Sequence, residues 1–239
     1  MVNRLLAALV FLAVVPAHAE TIQFTAADGV TVTADLTAKS DAAAPWLILF
    51  HMARASRGEY REIAPRLARL GYSVMAIDQR SGGSFGGVEN ATRKSFVENP
   101  EFKAAIPDLK AAVAEAKKRG AQRLGVLGSS YSAALVIRLA GEDPGFADAV
   151  IAFSPGEYFQ PRDFIQSAAA DVSVPVLVTG ARKEEGAWAP IFKALGTKEK
   201  TAFLPEGPGK HGATTLLTNE GPEYWRALET FLATYLPPS

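Results

Sequence analysis

The sequence predicts an α/β domain: a mostly parallel sheet with helices on both faces. Three observations predict it. Short, continuously apolar runs rich in β-branched residues alternate with amphipathic runs of helical period, as strands covered on both sides do. The alternating pair of runs stands near the start, separated by Asp28-Gly29, a hairpin signal. Gly71 and Gly120 follow the last apolar positions of two helical runs, where a helix is closed.

The first residues stand apart from this domain. Met1–Arg4 is short and basic, Leu5–Val15 is apolar but too short to span a bilayer, and Ala17-His18-Ala19 is a small-residue cleavage pattern. Residues 1–19 are therefore expected to be a signal peptide, leaving residues 20–239 as one domain that is periplasmic or secreted, with no membrane anchor after cleavage. The chain has 25 basic and 25 acidic residues. Losing Arg4 leaves 24 against 25, a net −1 with no basic patch, which argues against nucleic acid as a partner. With no cysteine there is no disulfide, thiolate metal site or lipid-modified cysteine. The oligomeric state is not readable from the sequence.

Eight strands are expected, at Thr21–Thr25, Val30–Leu36, Trp46–Phe50, Ser73–Ile77, Arg123–Leu127, Ala149–Phe153, Val174–Val178 and Thr201–Leu204. Helices are expected over Tyr60–Leu70, with Ile63, Leu67 and Leu70 on one face, and over Ile106–Arg119, with Ile106, Leu109, Val113 and Ala116 together. Two more are read at Tyr131–Ala140 and Pro222–Tyr235, the last grouping Trp225, Leu228, Phe231 and Leu232. The segment Ser154–Ser173 has room for one short helix near Pro161–Ala168 and none for a large lid. Sheets of this kind bind ligands at the carboxyl ends of their strands, so the loops that follow strands carry the functional information.

One of those loops is Gly128-Ser129-Ser130-Tyr131-Ser132, a strand-to-helix turn. A serine held there on strained backbone needs small residues two places before and after it. Gly128 and Ser132 frame Ser130 in that way. Ser129 as nucleophile would put Leu127 at a position that must be small, and Ser132 falls inside the helix, with its oxygen expected to face the preceding turn. The other loops hold His51-Met52-Ala53-Arg54, the glycine-rich Asp78–Gly87, Gly180 through Glu185, and Pro205 through His211-Gly212. Serine, acid and histidine follow in that order. The glycine-rich loop matches no phosphate-binding pattern; Asp78 and Arg80 are read as pinning it beneath the site.

On the hairpin and His51 loop, the D-x-R-S-G-G-S run at Asp78–Ser84, the elbow and His211-Gly212, the chain resembles the α/β-hydrolase family. The nearest branch is the lidless one that includes dienelactone-hydrolase-like esterases. The resemblance implies Ser130 as nucleophile and His211 as general base, with His51 leading into the oxyanion loop. Dienelactone hydrolases proper use a cysteine, so their substrate does not carry over. The family's aspartate position is Lys183 here. Glu184 is favoured as the acid, Glu185 stands second and Glu157 third.

The mechanism expected is hydrolysis of a carboxylic ester of a small to medium substrate through an acyl-serine. The backbone amides of Tyr131 and Met52 form the oxyanion hole, and no metal or cofactor is called for. Phe85, Tyr158, Phe159 and Trp188 are candidate walls or packing. The alternatives are an acyltransferase and a catalytically silent ligand-binding homologue of the cell envelope.

Overall fold

A computed structural model describes residues 19–238. Apart from Ala19, the expected signal peptide, His18 included, lies outside the described residues. In chain order the strands and helices are β1 (Glu20–Thr25), β2 (Thr31–Thr37), β3 (Trp46–Phe50), α1 (Ile63–Arg69), β4 (Ser73–Asp78), β5 (Ser84–Phe85), β6 (Val88–Glu89), α2 (Ile106–Lys118), β7 (Leu124–Ser129), α3 (Tyr131–Glu142), β8 (Ala149–Phe153), α4 (Gln166–Ala169), β9 (Val176–Thr179), α5 (Glu185–Ala194), β10 (Lys200–Phe203) and α6 (Gly221–Tyr235).

Eight of the strands form one sheet in the order β1-β2-β4-β3-β7-β8-β9-β10. β1 and β2 are the expected antiparallel hairpin, and β2 also runs antiparallel to β4. Every other pairing in that sheet is parallel. Alternation along β3 shows why its apolar run is unbroken. Trp46, Ile48 and Phe50 face the cluster that includes Leu109 and Val113 of α2, Val136 of α3 and Ile191 of α5. Leu47 and Leu49 face the cluster that holds Ile63 and Leu67 of α1 and Trp225, Leu228 and Phe231 of α6. Burying each such side chain contributes about 1.5–3 kcal/mol, so neither face of this strand tolerates a charge.

The chain winds outward from β3 in both directions, to β4 on one side and β7 on the other. The ends of β3 and β7 therefore stand side by side where the winding reverses, the place such sheets use for ligands.

Several details differ from expectation. The helix expected from Tyr60 begins at Ile63, after a separate 3₁₀ turn at Arg57–Tyr60 whose Glu59 and Tyr60 turn inward. Leu70 caps that helix and is 36% exposed, so it does not join the apolar face. The helix expected at Pro161–Ala168 shrinks to α4, because the amides of Ile165 and Gln166 are taken by the Glu157 carboxylate rather than by a preceding turn. The hairpin β5–β6 and the helix α5 were not expected.

Candidate active site

Ser130 sits between β7 and α3 with φ 60° and ψ −121°, a left-handed conformation that L-residues adopt at a cost. Its neighbours account for the crowding. A Cβ on Gly128 would lie 2.5 Å from the Ala133 amide nitrogen and the Ser132 carbonyl oxygen, so no side chain fits there. Ser132 does not turn back along its helix as expected. Its hydroxyl donates to His51 O at 2.6 Å and accepts from Gln79 Nε2 at 2.6 Å, tying the elbow to the loop after β3.

The Ser130 hydroxyl reaches His211 Nε2 at 2.8 Å. His211 Nδ1 lies 2.6 Å from Glu184 Oε1, and Glu184 Oε2 accepts from Ser154 Oγ at 2.6 Å and from the Ala181 amide at 3.0 Å. Burial alone would raise the Glu184 pKa. The hydrogen bonds from His211 and Ser154 outweigh it and hold the carboxyl below its ordinary range. Ser154 is itself left-handed, φ 56°, and its Oγ also accepts from the Gly212 amide at 2.9 Å. Three adjacent strands thus share the work: β8 leads to Ser154, β9 to Glu184 and β10 to His211.

The other acids lie elsewhere. Glu185 is exposed at the start of α5, Glu157 is spent on the amides before α4, and Lys183 points into solvent. His51 is fully buried. Its Nε2 accepts from the Gln79 amide at 3.1 Å, so Nδ1 carries the proton it donates to Met52 O at 2.8 Å; desolvation lowers its pKa and keeps it neutral. Asp78 is buried and takes the Arg57 amide and guanidinium at 2.7 and 2.6 Å, while Arg80 bridges Asp108 and Asp28. Both fasten the glycine-rich loop and the hairpin from below.

One expectation needs correction. The Met52 amide donates to Glu59 Oε2 at 2.7 Å and is not free to hold an oxyanion. The next amide, Ala53 N–H, has no acceptor among the described residues, and the Tyr131 amide opens α3. Tyr158 and Phe159 line a cleft of about 450 Å³ together with Phe102, Lys103, Glu101 and Gln160. The Tyr158 phenol donates to Ser154 O at 2.8 Å and also faces Ser130. Phe102 stacks on Tyr131 at 4.5 Å between centroids; it escaped the sequence reading because a single Phe in a polar loop carries no pattern. Trp188 is core, packed edge-on against Phe192, and Phe85 belongs to the β5–β6 hairpin; neither lines this cleft. The larger cavity of about 940 Å³ lies between β1 and α2 and includes none of the loops described above.

Among the described residues, no group of three or more His, Asp or Glu side chains is placed to hold a metal ion, and no helix is long and apolar enough to cross a membrane.

A mostly parallel eight-stranded sheet, with a left-handed serine at a strand-to-helix elbow and a histidine after the last strand, defines an α/β-hydrolase. Residues 41–172 match the profile described as serine aminopeptidase, S33, and the chain belongs to that family. No curated protein matches it by sequence. Among solved structures it is similar to the esterase Pf2001 of Pyrococcus furiosus, at 19% identity and TM-score 0.72 over 91% of this chain and 92% of that one. A dienelactone hydrolase of Anabaena variabilis superposes with TM-score 0.71 at 16% identity, over 92% and 99% of the two chains. Est1E of Butyrivibrio proteoclasticus, solved with ferulic acid, gives TM-score 0.67 at 13% identity over 88% and 98%.

Proposed function

We propose that this chain is a serine hydrolase that cleaves carboxylic esters of small to medium substrates through an acyl-serine. The observation that carries the reading is the hydrogen-bonded line from Ser130 Oγ through His211 to Glu184, with contacts of 2.8 and 2.6 Å. Ser130 Oγ attacks the ester carbonyl while His211 Nε2 takes its proton, then returns that proton to the leaving alcohol. Glu184 accepts from Nδ1–H, fixing the tautomer that leaves Nε2 free and stabilising the imidazolium as it forms. The oxyanion is held by the Tyr131 amide and, with Met52 engaged, by the Ala53 amide; each such donor is worth about 3–4 kcal/mol of barrier. Water then attacks the acyl-serine by the same base. The Phe102, Tyr158 and Phe159 side chains suit an apolar acyl or alcohol group.

Two departures from the family pattern, Lys183 at the aspartate position and Ser132 at the second small position of the elbow, would favour a silent homologue, but the geometry around them supports an enzyme. Lys183 is exposed while the adjacent Glu184 meets the histidine, and Ser132 is built into the elbow rather than disturbing it. The test is a fluorophosphonate probe with mass spectrometry, alongside p-nitrophenyl esters and aminoacyl p-nitroanilides. The wild type is expected to be labelled at Ser130 and to turn over the esters in preference to the anilides. Ser130→Ala is expected to lose labelling and roughly 10⁶-fold in kcat. Anilide turnover above ester turnover would make it an aminopeptidase instead, and alcohol acceptors that trap the acyl group would make it an acyltransferase. The basic start, apolar run and Ala17-His18-Ala19 support export. N-terminal sequencing of the exported protein is expected to begin at Glu20, and retention of Met1–Arg4 in the membrane fraction would refute it.

A further inference from the structure

Glu59 is a buried carboxylate that the proposed chemistry does not use. It lies in the 3₁₀ turn Arg57–Tyr60 and is 1% exposed. Its Oε2 accepts from the Met52 amide at 2.7 Å and its Oε1 from Ser129 Oγ at 2.7 Å. Ser129 Oγ in turn accepts from the Ala213 amide at 2.9 Å. Gly212, between Ala213 and His211, has φ +72°, and a Cβ there would lie 2.5 Å from Ser129 Oγ and 3.7 Å from Glu59 Oε1. One carboxylate therefore touches the loop after β3, the residue before Ser130 and, through Ser129, the loop that carries His211.

We infer that Glu59 is a positioning residue for the proposed ester hydrolysis, registering the oxyanion loop, the elbow and the histidine loop through its ionised form. The inference rests on the reading of Ser130 and His211 given above. Its chemistry follows from the donor count. Both Glu59 oxygens act as acceptors, one for the Met52 amide and one for Ser129 Oγ. Protonation turns one of them into an O–H group, which accepts more weakly and removes the charge that strengthens both bonds. With the Met52 amide engaged by Glu59, Ala53 N–H is the next donor along the loop, without an acceptor among the described residues.

The groups around Glu59 leave it finely poised. No Lys or Arg pairs with it among the described residues. Of the groups acting on it, the His211 ring, from the loop after β10, is the one that becomes cationic. Tyr60 on its own turn and Tyr131 at the start of α3 are buried phenols whose pKa values are pushed up, by burial first and by Glu59's charge among the further causes. Burial pushes Glu59 up to about 7, against the hydrogen bonds from Ser129 and from the Met52 and Ala213 amides. Protonation thus removes the registering form as pH falls through neutrality.

The experiment measures kcat and KM for p-nitrophenyl acetate between about pH 5 and 9. It uses the wild type, Glu59→Gln and Ser129→Ala, with circular dichroism for folding and fluorophosphonate labelling of each. Glu59→Gln is expected to lower kcat about 10- to 100-fold with KM nearly unchanged, the scale that slight misplacement of reacting groups produces. The acid limb of its kcat/KM profile is expected to carry one proton fewer than that of the wild type, the one Glu59 takes. Ser129→Ala removes a donor that favours the ionised Glu59, so its acid limb is expected to move to higher pH, and it stays labelled at Ser130. If Glu59→Gln does not fold, this shift decides, and an unmoved limb overturns the inference. A labelled, active wild type whose Glu59→Gln variant keeps kcat within about twofold and the same acid limb overturns the inference alone. A wild type that is neither labelled nor active overturns it together with the reading beneath it.

Discussion

Glu184 and Glu59 both bear on the segment His211–Ala213, and they are treated differently. Glu184 has three donors and a side chain 18% exposed, and its pKa is held low. Glu59 is favoured in its charged form by Ser129 Oγ and the Met52 and Ala213 amides, yet it meets almost no water, and its pKa rises to about 7. Desolvation and hydrogen bonding act on both; the access of water decides the sign. Glu184 keeps water at its edge and is held charged, whereas Glu59, sealed from water, sits close to its titration point at neutral pH.

The largest test of this contrast is on rate. Glu184→Gln is expected to cost about 10⁴-fold in kcat, because the amide favours the wrong imidazole tautomer. Glu157→Gln and Glu185→Gln are expected to leave kcat within about twofold, since neither carboxylate approaches the histidine. Measuring the three variants side by side ranks them; a larger loss in Glu157→Gln would break the assignment of the acid.

A smaller effect sharpens the same contrast in stability. Glu184's depressed pKa stabilises the fold above the unfolded carboxylate range, and that contribution is lost as pH falls through the folded value. Glu59's raised pKa works the other way: the folded state binds more protons between 4.5 and about 7, so its contribution falls as pH rises through that window. At pH 7 Glu184→Gln is expected to melt below the wild type, whereas Glu59→Gln is expected to flatten the decline in Tm between those pH values. Parallel Tm profiles for the two variants would remove the distinction.

Much of this architecture was legible in the sequence for a simple reason. β3, β7 and β8 are buried on both faces, so their apolar runs are unbroken and their ends fall next to turn residues. The serine between Gly128 and Ser132 was visible because backbone crowding restricts residue size there, and composition records that restriction. Glu184 was picked out by position alone, as the first carboxylate after a strand, and it is the one within reach of His211. What escaped depends on contacts distant in sequence. Glu59 stands in a polar stretch beside Arg57 and Arg61, where a charge reads as solvated, and its partner Ser129 is 70 positions away. The Met52 amide was lost to that same carboxylate. α5 was hidden by Gly186 and Pro190, which read as breakers although Trp188 and Ile191 fasten the helix to the core.

Ser132 has a consequence for how this chain can change over time. Replacing it with glycine would bring the elbow to the common G-x-S-x-G pattern, yet it would strip a hydroxyl that His51 O and Gln79 Nε2 both hold at 2.6 Å. Gln79 in turn donates to His51 O and Tyr131 Oη and accepts from the His51 amide. Positions 79 and 132 are therefore coupled, and the effect of changing one depends on the state of the other. A change to the common elbow runs through a joint replacement at both sites, and the single step to glycine is the one this neighbourhood penalises.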